Sequence, residues 1–99
     1  PDIAQAAQGF SAMGSEARLE VLRLLVKAGK GGLPVGDIQA RTGIVASTLA
    51  HHLKTLSAAK LIVQEKEGRV ITSRANYTHL EELAAFILTE CCADEEARS

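Results

Sequence analysis

Two groupings of side chains in this 99-residue sequence carry chemistry beyond burial. The first is Cys91-Cys92, the only cysteines in the chain. A thiolate is a nucleophile and a soft ligand, so adjacent thiols can hold one soft atom or exchange with other thiols. They can also fill a core, because cysteine is among the most often buried residue types. Cys91 continues an apolar helical stripe, which suits burial, whereas Cys92 falls off it. Neighbouring residues on a helix point about 100° apart, so both sulfurs reach one atom only if the helix end relaxes. Glu90, Asp94 and Glu95, together with a helix C-terminus, disfavour a thiolate here. A vicinal disulfide closes a small strained ring, so exchange between chains is the more accessible redox chemistry.

The second grouping lies between Thr42 and Ile62. Leu49, Leu53 and Leu56 recur at the i, i+4, i+7 spacing of one buried helical face. The opposite face carries Ser47, Thr48, His51, Lys54 and Thr55 with no carboxylate among them. A helix that keeps acids off its outward face is suited to lying beside phosphates. His51 points outward, His52 lies nearer the leucine face as a partly buried hydrogen-bonding residue, and His79 reads as a surface residue. No Ser/His/Asp, Cys/His or paired-carboxylate arrangement stands out, so the chain is not expected to be an enzyme.

Charge sharpens this reading. The net charge is only −1, yet Arg41 to Arg74 holds six Lys/Arg (Arg41, Lys54, Lys60, Lys66, Arg69, Arg74) against Glu65 and Glu67. That local excess of +4 leaves −5 on the rest of the chain, much of it in Glu90, Asp94, Glu95 and Glu96. One basic surface on an acidic body follows, with plain charge scatter as the alternative. No apolar run approaches a membrane span and no basic-then-apolar leader opens the chain, so a soluble cytoplasmic protein is expected.

The elements that must position these residues form one domain over 1–99. Residues 3–13 predict a helix with Ile3, Ala6, Ala7, Phe10 and Met13 on one side. Ser15 caps the next helix, 16–28, whose Leu19, Val21, Leu22, Leu24, Leu25 and Val26 make it the central core helix. Lys27 and Lys30 suit its C-terminal end. Gly29 to Gly32 is a connector without a phosphate-loop ending. Pro34 opens the first turn of a short helix that buries Val35, Ile38 and Ala40 and stops at Gly43. With the helix to about residue 59 it forms a helix-turn-helix over about 34–59. Strands at Leu61–Lys66 and Val70–Ala75 around a Glu67-Gly68 turn predict a β-hairpin wing over about 61–75. A last helix runs over about 77–93, with Leu80, Leu83, Ala84, Ile87, Leu88 and Cys91 on one stripe.

The fold class is therefore mainly α with a small β-hairpin, a winged helix-turn-helix. The first and last helices exceed what its core needs, and both carry apolar stripes. A homodimer joined through them covers those stripes and sets two recognition helices about a DNA turn apart.

The order of elements and several strings resemble the ArsR/SmtB family of small dimeric winged-helix repressors. Gly14 to Leu25 is similar to the family's second helix. Leu33-Pro34-Val35-Gly36-Asp37-Ile38 stands where many members carry Leu-Cys-Val-Cys-Asp-Leu. Ser47 to Leu56, with His52-Leu53-Lys54-Thr55-Leu56, resembles the recognition helix, and Lys60-Leu61-Ile62-Val63 resembles the start of the wing. The resemblance covers nearly the whole chain. It implies a transcriptional repressor that holds double-stranded operator DNA until an inducer, often a metal or metalloid, loosens it. Ser47, Thr48, His51 and Lys54 then enter the major groove, and Arg41, Lys66 and Arg69 take phosphates or the wing contact.

The departures decide the inducer. Pro34 and Gly36 replace the Cys-x-Cys of soft-metal sensors. Members with zinc between their last helices use Asp-x-His and a downstream His-x-x-His or His-x-x-Glu. The nearest frame here gives Tyr77, His79, Glu90 and Ala93, too few ligands for a tetrahedral site, so no zinc is expected. Leu88-Thr89-Glu90-Cys91-Cys92 resembles the C-terminal cysteine pair of an arsenite-responsive subgroup. That resemblance implies As(III) or Sb(III) bound at Cys91 and Cys92, its third ligand supplied by the other protomer, a small thiol or water. The competing reading is a winged-helix thiol-redox sensor or protein-interaction module with no metalloid ligand.

Overall fold

The computed structural model describes residues 1–97. Helix α1 (Ile3–Met13) opens with a reciprocal cap: Asp2 Oδ1 accepts the Gln5 amide at 2.7 Å, and Gln5 Oε1 accepts the Asp2 amide at 2.9 Å. Helix α2 (Glu16–Ala28) is capped by Ser15, whose Oγ accepts the Arg18 amide. Then come strand β1 (Leu33–Pro34), α3 (Val35–Thr42) and α4 (Ala46–Ala58). Strands β2 (Ile62–Glu67) and β3 (Val70–Ala75), helix α5 (Tyr77–Leu88) and a short α6 (Ala93–Ala97) complete the order.

The sheet is antiparallel with strand order β1-β3-β2. Its third strand is an addition to the expected hairpin. Leu33 and Pro34 pair with Ser73 and Thr72, so Pro34 caps α3 from an edge strand instead of sitting in the helix's first turn. Pro suits that edge because it has no N–H to donate. The approach is close at Gly32, where a Cβ would lie 2.2 Å from the Ser73 carbonyl oxygen and φ is +68°. The hairpin turn is Gly68–Arg69, closed by the Glu67–Val70 pair, one residue later than the sequence suggested.

The core gathers Val21, Leu22 and Leu25 from α2, Ile38 from α3, and Leu49, Leu53 and Leu56 from α4. Leu61, Ile62, Ala75 and Leu83 close it from the wing base and α5. Ala40, expected inside, is exposed. Helix α1 is also turned from its expected orientation. It buries Ala6, Gly9 and Ala12, while Ile3 and Ala7 are exposed and Phe10 and Met13 are half-buried. The cause is a close crossing: a Cβ on Gly9 would stand 2.8 Å from Leu83 Cδ1, so small residues must face α5.

The last helix is shorter than the expected 77–93. It ends at Leu88, Thr89 turns extended (φ −56°, ψ 132°), and Glu90 and Cys92 adopt positive φ of 66° and 63°. Thr and Cys are weak helix formers, and Ile87 and Leu88, 64% and 67% exposed, pack on nothing that would hold the stripe in register. At its start α5 is firmly held. The Tyr77 hydroxyl donates to the Val26 carbonyl at 2.9 Å, and Asn76 Oδ1 accepts the His79 amide. The molecule is elongated, 59 Å along its longest axis, and exposes 6679 Å². A folded monomer of this mass exposes about 5,400 Å².

Candidate nucleic-acid interface and thiol pair

Helix α4 separates its two faces cleanly. Leu49, Leu53 and Leu56 are buried, whereas Ser47, Thr48, His51 and Lys54 are all exposed and Thr55 is half-buried. Ser47, His51 and Lys54 share one line at i, i+4, i+7, with Thr48 beside it. Helices α1, α2 and α5 each have a side-chain cap, but α4 has none and no acid in its first turn. Its N-cap is Val45, whose side chain answers no amide. The positive end of its dipole is therefore left for an outside acceptor.

Arg41 is exposed in the last turn of α3, ahead of the turn into α4. Lys66 and Arg69 are exposed at the wing tip, Arg69 within the turn itself. Arg74 stands apart from these cations. Its guanidinium donates to the Glu65 carboxylate, an ion pair that removes it from the basic surface counted in the sequence. The pair joins neighbouring strands, so only the register could have revealed it.

His52 is half-buried as expected, but its Nδ1 is shielded without a hydrogen-bond partner. Burial lowers its pKa below the ordinary value, and the charges of Arg18 and His51 lower it further. Arg18 is held there because its Nε donates to the Ala12 carbonyl at 2.6 Å. His79 lies deeper than a surface residue, its side chain 12% exposed and its Nδ1 3.8 Å from Glu82 Oε2.

Both thiols are free and exposed, with their sulfurs 3.4 Å apart. The turn after α5 makes this approach possible: the Cys91 amide donates back to the Leu88 carbonyl at 2.9 Å, and Cys92 takes its left-handed φ. Cys91 thus leaves the stripe that it continues in the sequence. The hydrogen bond with Cys91 raises the Cys92 pKa, helped by desolvation and Glu95. Among the described residues no three His, Cys, Asp or Glu side chains converge as a metal site.

The Helix-turn-helix domain family matches the chain over residues 13–65. Relatives include the putative arsenical resistance operon repressor ArsR2 of Halobacterium salinarum, 38% identical over 61 residues, covering 62% of this chain and 50% of the relative. The uncharacterized HTH-type transcriptional regulator YceK of Bacillus subtilis is 38% identical over 63 residues, covering 64% of this chain and 62% of the relative. The homodimeric winged helix-turn-helix DNA-binding domain Mb0332 of Mycobacterium bovis, a possible ArsR-family regulator, superposes with a TM-score of 0.71 at 26% identity. That match covers 96% of this chain and 83% of the other. The chain belongs to the ArsR/SmtB family. It spans between 50% and 64% of the length of the curated relatives it matches, which are described as transcriptional regulators or repressors rather than enzymes. As an ArsR/SmtB chain it carries the helix-turn-helix in α3 and α4 and the wing in β2 and β3. Among its described residues no helix is long and apolar enough to cross a membrane.

Proposed function

We propose that this protein is a homodimeric transcriptional repressor of the cytoplasm that leaves its operator when As(III) or Sb(III) binds Cys91 and Cys92. The DNA half of the reading rests on α4, an acid-free and uncapped helix with an exposed polar face, and on the exposed Lys66 and Arg69 at the wing tip. Ser47, Thr48, His51 and Lys54 read base edges or phosphates in the major groove, while Arg41, Lys66 and Arg69 hold the backbone. The homodimeric description of the Mycobacterium bovis domain supports two such heads on one operator. So does the apolar surface left on α5.

One observation carries the inducer half: two exposed sulfurs lie 3.4 Å apart on the turn that follows α5. An atom bridging that gap with bonds of about 2.3 Å subtends about 95° at the metal, below the tetrahedral value. Such an angle suits a pyramidal trivalent centre with a lone pair. Each thiol exchanges its proton for an arsenic–sulfur bond, and an arsenic-bound hydroxide leaves as water. The third ligand comes from the partner, a small thiol or water. The name given to ArsR2 supports arsenic as the class of inducer. Binding reshapes the turn after α5, and through the dimer seam it alters the spacing of the two reading heads. Inducer and DNA affinities are then reciprocally coupled, by about 1–3 kcal/mol.

The same exposed pair favours a second reading, a thiol-redox sensor. Titrating arsenite into reduced protein on operator DNA separates the two. Growth of the sulfur-to-arsenic absorption band with loss of DNA, both absent in the Cys91→Ser, Cys92→Ser protein, is expected. Arsenite release of that double variant removes the metalloid assignment. Release by oxidant alone, with no arsenite band, supports the redox sensor.

A further inference from the structure

Only Leu83 of α5 is buried, and the helix has a second apolar line in Leu80, Ala84, Ile87 and Leu88. Beside Leu80 a groove of about 610 Å³ opens along α2. Its apolar lining includes Leu24 and Val26, and its rim carries Arg23 and Lys27, with Glu20 a turn earlier. The last turn of α5 and the chain after it have the complementary character. Ile87 and Leu88 are exposed and apolar, and the next residues include Glu90, Asp94 and Glu95, all exposed.

We infer that these two surfaces cover each other across a two-fold axis, so that the thiol pair of one protomer lies beside Lys27 of the other. The inference rests on the dimer reading above. A two-fold axis across α5 makes the two copies antiparallel and the contact self-complementary. Centred on Ala84, the small residue in the middle of the line, the axis sets Leu80 against the partner's Leu88. It brings Tyr77 within about one helical turn, roughly 5 Å, of the partner's Cys91. Tyr77 is bonded to the Val26 carbonyl, and Lys27 is the next residue. The partner's Ile87 and Leu88 then fill the groove, and its acids meet Arg23 and Lys27.

This docking supplies what the thiols lack in their own chain. There the hydrogen bond with Cys91, then desolvation and the contact with Glu95, raise the Cys92 pKa. A lysine ammonium favours the thiolate, the form that binds soft ligands and attacks electrophiles. The pair is therefore a competent ligand site only in the dimer, with Lys27 as a positioning and charge-compensating residue contributed by the other copy.

Two measurements on the full chain test this. In dimers mixed from isotopically light and heavy protein, a zero-length carbodiimide should join Lys27 to Glu90, Asp94 or Glu95 between a light and a heavy peptide. Alkylation of the reduced pair by iodoacetamide at neutral pH should slow about threefold in Lys27→Gln and recover in Lys27→Arg, with the dimer intact by sedimentation. A dimer whose cross-links stay within one chain, or whose alkylation rate ignores Lys27→Gln, overturns the inference and leaves the dimer reading standing. A monomer at working concentration overturns both.

Discussion

The paired state of Arg74 makes the DNA reading quantitative. Each protomer presents Arg41, Lys54, Lys66 and Arg69 on the surface proposed for DNA, and Arg74 is engaged by Glu65. A dimer then offers about eight phosphate contacts, so the log–log salt slope of binding is about −7. Raising salt fourfold should weaken binding about 10⁴-fold. Replacing Lys66 and Arg69 with Gln removes about four contacts and should bring the slope to about −4. Arg74→Gln should leave it within about one of the wild type. The assay is fluorescence anisotropy on a duplex selected from a random pool by the protein itself, read over a salt series. A wing variant with an unchanged slope refutes the reasoning. So does an Arg74→Gln protein whose slope falls by about two, the loss of one contact per protomer, because the Glu65 pair would then not hold in solution.

Four further outcomes are expected. Gly32→Ala drives a methyl group against the Ser73 carbonyl at positive φ and should cost about 3 kcal/mol in urea unfolding. An unchanged midpoint would deny the β1–β3 contact. Gly9→Ala meets only side-chain ends, those of Leu83 and Leu61, so it should cost about 1–2 kcal/mol, and a larger loss than at Gly32 would contradict the geometry. Burial holds His52 neutral with a folded pKa below its unfolded value. Its stabilising contribution is therefore complete above about pH 6.5 and is lost as pH falls through the lowered folded pKa. Thermal unfolding of His52→Gln should lack that part of the acid-side decline, and an identical pH profile would exclude His52 as its source. Finally, Ile87→Ser with Leu88→Ser should leave circular dichroism intact but shift sedimentation to the monomer, and a persistent dimer would place the seam elsewhere.

Much of the fold was legible because it is written in local periodicity. The alternation of Leu49, Leu53 and Leu56 with Ser47, His51 and Lys54 dictates which face of α4 turns outward, and Ser15 marks the start of α2. The wing followed from two alternating runs around a glycine turn. What escaped depended on distant partners. Helix α1 turns Ala6, Gly9 and Ala12 fully inward because Leu83 crosses so closely, whereas the helical spacing placed Ile3 and Ala7 on the inner side as well. Strand β1 is two residues long and exists only because β3 lies beside it. The Arg74–Glu65 pair needed the β2–β3 register.

The thiol pair divides the two sources of information most clearly. Its sequence alone determined the identity of the soft donors, their adjacency and their acidic surroundings. Read as one helix to about residue 93, that sequence points the two sulfurs about 100° apart. Only the tertiary structure decided that α5 stops at Leu88 and that left-handed backbone at Glu90 and Cys92 turns both sulfurs together. The physical reason is that a helical stripe persists where something packs on it, and after Phe86, the last α5 side chain against the core, the single chain leaves Ile87 and Leu88 exposed.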